Sequence, residues 1–91
     1  MKSFLWREHA LARMTERGIE RQAVIDAIKQ GEVIRDYSDD KPYPSRLRLY
    51  WIDGQPLHVV SASASDDVEI VITAYYPDPA LWEPDFKRKL P

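Results

Sequence analysis

Apolar residues recur at helical spacing in the first part of the chain, over residues 4–17. Their side chains fall within one arc of roughly 120° when residues are placed about 100° apart, as in an amphipathic helix. Ser3 can cap such a helix at its start, and Gly18 suits the left-handed residue that ends one. The pattern therefore predicts a first helix over residues 4–17. Its apolar arc consists of Phe4, Ala10, Leu11 and Met14.

A second apolar stripe at helical spacing follows almost at once. Gly31, placed after Lys29 and Gln30, is expected to end this helix with the same kind of left-handed residue. Because the joint between the two stripes is short, we expect the two helices to pack antiparallel. The second stripe consists of Ala23, Val24, Ile25, Ala27 and Ile28.

From residue 32 onward the pattern becomes that of β-strands. Val33–Tyr37 is rich in branched and aromatic side chains, which favour a strand. Residues 38–45, SDDKPYPS, read as a loop because proline and aspartate interrupt the pattern. The nearly continuous apolar run Val68–Tyr75 predicts a central strand covered on both faces. The proline-rich residues 77–91 are expected to form a short helical turn and a surface segment.

The clearest local prediction is a β-hairpin. Residues 46–52 and 57–63 flank Asp53-Gly54, a dipeptide that favours a two-residue type I′ turn. This turn places Leu49 opposite His58 and divides the hairpin into two faces. The more apolar face is the one we expect the helices to cover, with His58 on it. That face holds Leu47, Leu49, Trp51, His58, Val60 and Ala62, and the other holds Arg46, Arg48 and Tyr50.

Together these elements predict an α+β fold. Two N-terminal antiparallel helices pack on one face of a mainly antiparallel sheet of about four strands, and a short C-terminal helical turn follows. Residues 1–91 are expected to form a single domain, because a chain of 91 residues has little surface to bury in a second core.

Composition narrows the classes of function. The chain has no cysteine, which excludes a disulfide framework, a thiolate zinc site and a cysteine nucleophile. No apolar run approaches the roughly 20 residues of a membrane span, and no signal-peptide pattern is present, so we expect a cytoplasmic protein without membrane contact. The formal charge is −2. Residues 1–35 carry seven Lys and Arg against five Asp and Glu, and residues 36–91 carry six against ten, so any anion-binding surface must be local.

His9, Arg13 and Arg17 recur every four residues beside the apolar arc of the first helix. Arginines on successive helical turns can grip a phosphate or a partner's carboxylates. They can equally lay their stems over the edge of the core and pair with nearby acidic residues. The pattern leaves both interpretations open.

His9 and His58 are the two histidines, and the predicted fold places both between the helices and the sheet. A pair of imidazoles suits general acid and base catalysis near neutral pH. The alternative is a core histidine that is satisfied by a backbone carbonyl. A metal site is not expected, because no pattern such as His-Glu-x-x-His accompanies them.

Arg46, Arg48 and Tyr50 on the other hairpin face, with Tyr43 in the preceding loop, form a second basic and aromatic group. Such groups can stack bases and hold phosphates, and they also occur on ordinary half-exposed sheet faces.

Residues spread from about position 5 to position 89 form one distinctive pattern. They are His9-Ala10, Arg13-Met14, Arg17-Gly18-Ile19, Gly31, Tyr37, Pro42-Tyr43-Pro44-Ser45, Pro56-Leu57-His58-Val59-Val60, Ile72-Thr73, Tyr75, Pro77-Asp78-Pro79 and Trp82. This pattern resembles a bacterial family of small proteins classed as domain-of-unknown-function family 4258. That family is similar in layout to the RelE/ParE-like toxin superfamily. Tyr76 departs from the family pattern, which usually has glutamate there.

The resemblance implies a toxin-like, metal-independent ribonuclease that needs no cofactor and acts on messenger RNA at the ribosome. Two placements of its site compete. By analogy with the superfamily, the resemblance favours the sheet and the C-terminal segment, with Arg46, Arg48, Tyr75 and Arg88. The helical spacing, together with the register of the hairpin, favours His9, Arg13, Arg17 and His58. The alternative function is a non-catalytic module that recognises a partner protein, such as an antitoxin, through the basic helix edge and the Tyr43 loop.

Overall fold

The computed structural model describes residues 2–91. Within that range, a five-stranded sheet carries two helices on one face. The elements in chain order are β1 (Ser3–Trp6), α1 (Glu8–Arg17), α2 (Arg21–Gln30), β2 (Glu32–Tyr37), β3 (Ser45–Ile52), β4 (Gln55–Ser65) and β5 (Val68–Tyr75). The strands lie in the order β1-β5-β4-β3-β2; β1 pairs with β5 in parallel, and the other neighbours are antiparallel. The α+β class is confirmed, but the sheet has five strands rather than about four and includes a parallel pair.

The extra strand explains why the predicted first helix is wrong at its N-terminal end. Residues 3–6 form β1, in which Phe4 and Trp6 alternate onto the helix side and pack against the core. Aromatic residues at alternating positions fit a pleated strand, and β5 supplies the backbone partners. Helix α1 therefore begins at Glu8, and Arg7 stands at its N-cap in place of Ser3. The helices follow a strand and are not the first elements of the fold.

The two glycines that follow the helices have different roles. Gly18 has φ 66° and ends α1 in the left-handed conformation, as predicted. Gly31 has φ −71° and ψ 160°, so the prediction of a left-handed stop is wrong there. An added Cβ at Gly31 would overlap the carbonyl oxygen of Ala27 and would lie 3.0 Å from that of Leu49. Glycine at position 31 allows the end of α2 to approach β3 closely.

The hairpin prediction is confirmed in its register. Asp53 and Gly54 have φ 49° and 81°, as a type I′ turn requires, and Leu49 pairs with His58. The prediction of which face the helices cover is wrong. The helices pack on Leu57 and Val59 of β4, so His58, between them in the strand, points to the opposite side of the sheet. The buried core on the helix side consists of Ala10, Met14, Ile19, Val24, Ala27, Ile28, Leu57, Val59, Val71 and Ala74.

Residues 77–91, which we call the C-terminal segment, cover the sheet face opposite the helices. The Trp82 ring lies 4.5 Å from the His58 ring, and the Phe86 ring packs edge-on against Trp51 at 5.8 Å. The segment folds back on itself through a bridge between Trp82 and Lys89, in place of the predicted helical turn. Both faces of the hairpin are therefore covered, one by the helices and the other by the C-terminal segment. For this reason, the more apolar face is not necessarily the one on which the helices pack.

Within residues 2–91, no helix is both long enough and apolar enough to cross a membrane.

We predict that Gly31→Ala lowers the free energy of unfolding by about 2–3 kcal/mol, because its Cβ would overlap backbone oxygens that cannot turn away. Gly18→Ala is the matched comparison: it meets nothing within 4 Å and should cost about 1 kcal/mol of left-handed strain. Urea unfolding of the two variants measures the difference. An equal or smaller loss at Gly31 would contradict the close approach of α2 to β3.

Candidate functional site

The helix-side face of the sheet is divided into an apolar half and a polar half. Helices α1 and α2 cover the apolar half, where Leu57, Val59, Val71 and Ala74 lie. Beyond the helices, at the other end of the same strands, the face carries polar and charged side chains. These are Arg46 and Arg48 of β3, Ser61 and Ser63 of β4, and Glu69 of β5.

Glu69 lies at the centre of this polar half and is only 1 % exposed. Its Oε2 accepts a hydrogen bond from the Ser61 hydroxyl at 2.6 Å, and its Oε1 accepts one from the Ser63 hydroxyl at 2.7 Å. The Lys2 ammonium donates to the same Oε1 at 3.2 Å. Arg48 donates to the Ser61 oxygen at 3.1 Å and lies 3.7 Å from Oε2 of Glu69. We call these five residues the Glu69 cluster.

The cluster keeps Glu69 ionised although it is buried. Burial acts to raise the pKa of Glu69, but the hydrogen bonds from Ser61, Ser63 and Lys2 together outweigh it, so the pKa lies below its usual value. Burial also lowers the pKa of Arg48, with the Glu69 carboxylate opposing that change. Arginine remains protonated in proteins, so a fixed cation lies beside a fixed anion.

A cleft of about 170 Å³ opens beside the cluster, lined by Pro44, Arg46, Ser61, Ser63 and Glu69. The Arg46 side chain is 54 % exposed, and its Nε lies 3.8 Å from an oxygen of Asp36. Lys2, Arg46 and Arg48 bring three positive charges to this region, against the two negative charges of Glu69 and Asp36. The chain has a net charge of −2, so this excess of positive charge is local. The Ser61 and Ser63 hydroxyls donate to Glu69, which leaves the exposed Arg46 guanidinium as the cation that lines the cleft.

The structure brings together only part of the predicted binding set. Arg46 and Arg48 lie on one face, and exposed Tyr43 is next in sequence to Pro44, which lines the cleft. Tyr75 lies on the opposite face, where its hydroxyl meets His58. Arg88 is 76 % exposed in the C-terminal segment and pairs with Glu83 and Asp85. Tyr75 and Arg88 are thus separated by the sheet from Arg46 and Arg48.

The α1 residues His9, Arg13 and Arg17 are all exposed. Arg13 lies 3.4 Å from the Glu16 carboxylate, one turn further along the same helix. Arg17 donates a hydrogen bond to the carbonyl oxygen of Ala74 at 2.9 Å, which ties the end of α1 to β5. These contacts match the interpretation in which arginines at the core edge pair locally. A chemical role for the three residues stays a prediction.

His58 is fully buried beneath the C-terminal segment. Its Nε2 lies 2.8 Å from the Phe86 carbonyl oxygen and therefore donates, while its Nδ1 accepts from the Tyr75 hydroxyl at 3.2 Å. Burial lowers the pKa of His58, although the Phe86 carbonyl acts in the other direction. The sheet separates His58 from His9, so the two histidines do not lie together. The contact with the Phe86 carbonyl matches the alternative interpretation, a core histidine satisfied by a backbone carbonyl.

Sequence reasoning missed Glu69 and its serine partners, although a signal was present. Glu69 is the single charged residue within the otherwise apolar stretch Val68–Tyr75. A carboxylate in a strand expected to be buried on both faces requires partners, because an unpaired buried charge is too costly. Ser61 and Ser63 are spaced by two, and so share one face of the neighbouring strand.

Among residues 2–91, histidine and carboxylate side chains form no group of three or more that is placed to hold a metal ion.

Comparison of the chain with protein families gave one family match. The family model described as "Domain of unknown function (DUF4258)" matches residues 6–76, which include both helices, β2 to β5 and the last residue of β1. The chain belongs to this family. No significant match was found among curated proteins or among solved structures.

We predict that Glu69→Gln lowers the free energy of unfolding by about 3 kcal/mol, because Lys2 and Arg48 lose the anion that compensates them. Asp36→Asn is the matched control, since Asp36 pairs with Arg46 at the exposed edge and should change stability by less than about 0.5 kcal/mol. Urea unfolding at neutral pH compares the two. Similar small losses would show that the cluster does not depend on the charge of Glu69.

We predict that His58 makes the protein less stable as the pH falls below the ordinary histidine pKa of 6.5. In that range the unfolded chain binds a proton at position 58 that the folded chain does not, so the free energy of unfolding decreases toward acid pH. Urea unfolding from about pH 7 to about pH 5 measures this slope, which should be smaller in His58→Gln. His9→Gln, on the exposed side of α1, should keep it. An unchanged slope in His58→Gln would contradict the assignment.

Proposed function

We propose that this protein acts on RNA as the toxin of a toxin–antitoxin pair, with Arg46 and Arg48 holding a backbone phosphate. The observation that carries the proposal is the cleft beside the Glu69 cluster, which the exposed Arg46 lines. Arg48 lies two residues further along the same face of β3 and is held against Glu69. Arginine presents a planar fork of donors that matches phosphate oxygens. The sequence also resembles a family whose layout is similar to that of the RelE/ParE-like toxins, and we propose that the activity is similar too.

The reaction that fits such a site is transesterification within the RNA chain. The ribose 2′-hydroxyl gives its proton to a water molecule and attacks the neighbouring phosphorus. The bond from phosphorus to the 5′-oxygen breaks, and that oxygen takes up a proton from water. The products carry a 2′,3′-cyclic phosphate and a 5′-hydroxyl. Negative charge grows on the phosphate oxygens along this path, and positioned cations stabilise it. Arg46 and Arg48 are proposed to supply the stabilising positive charge, without a metal ion or cofactor.

Position in the fold supports a division of roles between these two arginines. Arg48 is held by Ser61 and Glu69, so little of its freedom is lost when it meets a phosphate. Arg46 is more exposed and can exchange its long contact with Asp36 for a ligand. As a toxin, the protein would act in the cytoplasm on messenger RNA at the ribosome and would be neutralised by an antitoxin protein.

We expect purified protein to cleave messenger RNA in a translating mixture, and Arg46→Ala to slow cleavage by about 100-fold. Arg46 is exposed, so the variant should fold normally. Arg7→Ala, which removes an exposed arginine at the start of α1, is the control and should cleave as the unmodified protein does. Sequencing gels report the rates, and the chemistry of the new ends tests the proposed reaction.

Cleavage that survives Arg46→Ala unchanged would remove the proposed phosphate site. New ends that carry a 5′-phosphate would remove the transesterification route. If messenger RNA is cleaved neither alone nor in a translating mixture, and expression does not arrest growth, the protein is not a ribonuclease toxin.

The second candidate is a non-catalytic module that recognises a partner protein. It is favoured by the negative net charge and by a cleft of about 640 Å³ lined by Asp36, Asp39 and Asp40, which would repel RNA. Recovery of a single stoichiometric protein without RNA in a pull-down supports this function. Retained RNA that is released by high salt supports the first.

A further inference from the structure

A groove of about 360 Å³ lies between α2 and the end of the β3–β4 hairpin, away from the Arg46 cleft. We call it the α2–hairpin groove. Its apolar lining includes Ala23 of α2 and Tyr50 and Ile52 of β3, which are half-buried and pack against the core. Tyr50 also reaches Gln30 of α2, its hydroxyl lying 3.5 Å from the amide oxygen. The apolar lining is thus held in place by contacts with the core and with α2.

Three carboxylates line the same groove. Glu20 precedes α2, Asp26 lies on α2, and Asp53 occupies the hairpin turn. Glu20 and Asp26 are on the side of α2 that also presents Ala23, because the three follow at intervals of three residues. Negative charge therefore comes from both walls of the groove.

Among the ion pairs within residues 2–91, none involves Glu20, Asp26 or Asp53. The cation next in sequence, Arg21, lies instead with its guanidinium 5.4 Å from the centre of the Trp6 ring. Asp26 accepts a hydrogen bond from the neutral Gln22 amide at 2.9 Å. The groove thus combines an apolar lining with negative charge that the described cations do not compensate.

We propose that the α2–hairpin groove binds a basic segment of a partner protein. Lysine or arginine side chains suit it, because their charged ends can pair with the carboxylates while their aliphatic stems lie on Tyr50 and Ile52. Charge complementarity favours this occupant over nucleic acid, whose phosphates the three carboxylates repel. The groove is distinct from the Arg46 cleft, so the inference stands whether or not the protein cleaves RNA.

The probe is a short synthetic peptide in which lysine and arginine alternate with leucine, titrated into the full chain by calorimetry and NMR. The test variant combines Glu20→Gln, Asp26→Asn and Asp53→Asn. Asparagine tolerates the φ of 49° at position 53 and can still accept the Gln22 hydrogen bond at position 26, so the variant should fold. The matched control, Glu8→Gln with Asp66→Asn and Asp67→Asn, makes the same change of net charge at exposed positions elsewhere.

We expect the peptide to bind the unmodified chain, with NMR shifts centred on Tyr50, Ile52 and the first turns of α2. Affinity should fall about tenfold in the groove variant and less than about twofold in the control. Equal losses in both variants would indicate attraction to net charge alone and would overturn the proposal. Absence of binding at low salt would overturn it too. A loss caused instead by Asp39→Asn would place the peptide in the larger acidic cleft and overturn the assignment.

Discussion

The burial of the Glu69 carboxylate constrains the arrangement of the whole sheet. Strand β5 is paired on both sides, with β1 and with β4, so Glu69 cannot leave the interior by fraying at an edge. Its charge must therefore be compensated from neighbouring strands. Ser61 and Ser63 do so from β4, Arg48 from β3, and Lys2 from the residue before β1. The Glu69 side chain thus links β5 to β4, to β3 and to the residue that precedes β1, and the same contacts fix the orientation of Arg48.

The two sheet faces are completed in different ways. Helices α1 and α2 cover one end of the first face and leave the polar end accessible beside Arg46. On the second face, the C-terminal segment covers the region around His58, where Trp82 is also buried. Lys87 adds an ion pair with Glu32 of β2 at 3.1 Å. The charged side chains beside Arg46 are consequently accessible, because neither the helices nor the C-terminal segment reaches that end of the sheet.

Sequence patterns predicted correctly those structural features that depend only on residues close together in the chain. The dipeptide Asp53-Gly54 fixed the hairpin register to the exact pairing of Leu49 with His58, since the turn geometry alone determines it. The covered face was not predictable in this way, because Leu57 and Val59 are as apolar as the residues on the other side. Which apolar face receives the helices is decided by long-range packing. The strand β1 was missed for a related reason: four residues are too few to show their period without the partner strand.

In the candidate site, too, contacts that are local in the sequence could be predicted and long-range contacts could not. Arg46 and Arg48 share a face because they are two residues apart in one strand, which the sequence shows directly. The link from Arg48 to Glu69 crosses three strands and twenty-one positions, and no local pattern contains it. The separation of His9 from His58 likewise follows from the covering of the second face, which depends on the C-terminal segment.

The contact that holds the C-terminal segment to His58 uses a backbone carbonyl rather than a side chain. That carbonyl belongs to Phe86, whose φ of 57° lies in the left-handed region. The imidazole therefore recognises the path of the main chain, and the identity of the side chain at position 86 enters only through its packing on Trp51. The attachment therefore tolerates changes of residue type at position 86, provided that the new residue accepts the same backbone conformation, as glycine or asparagine would.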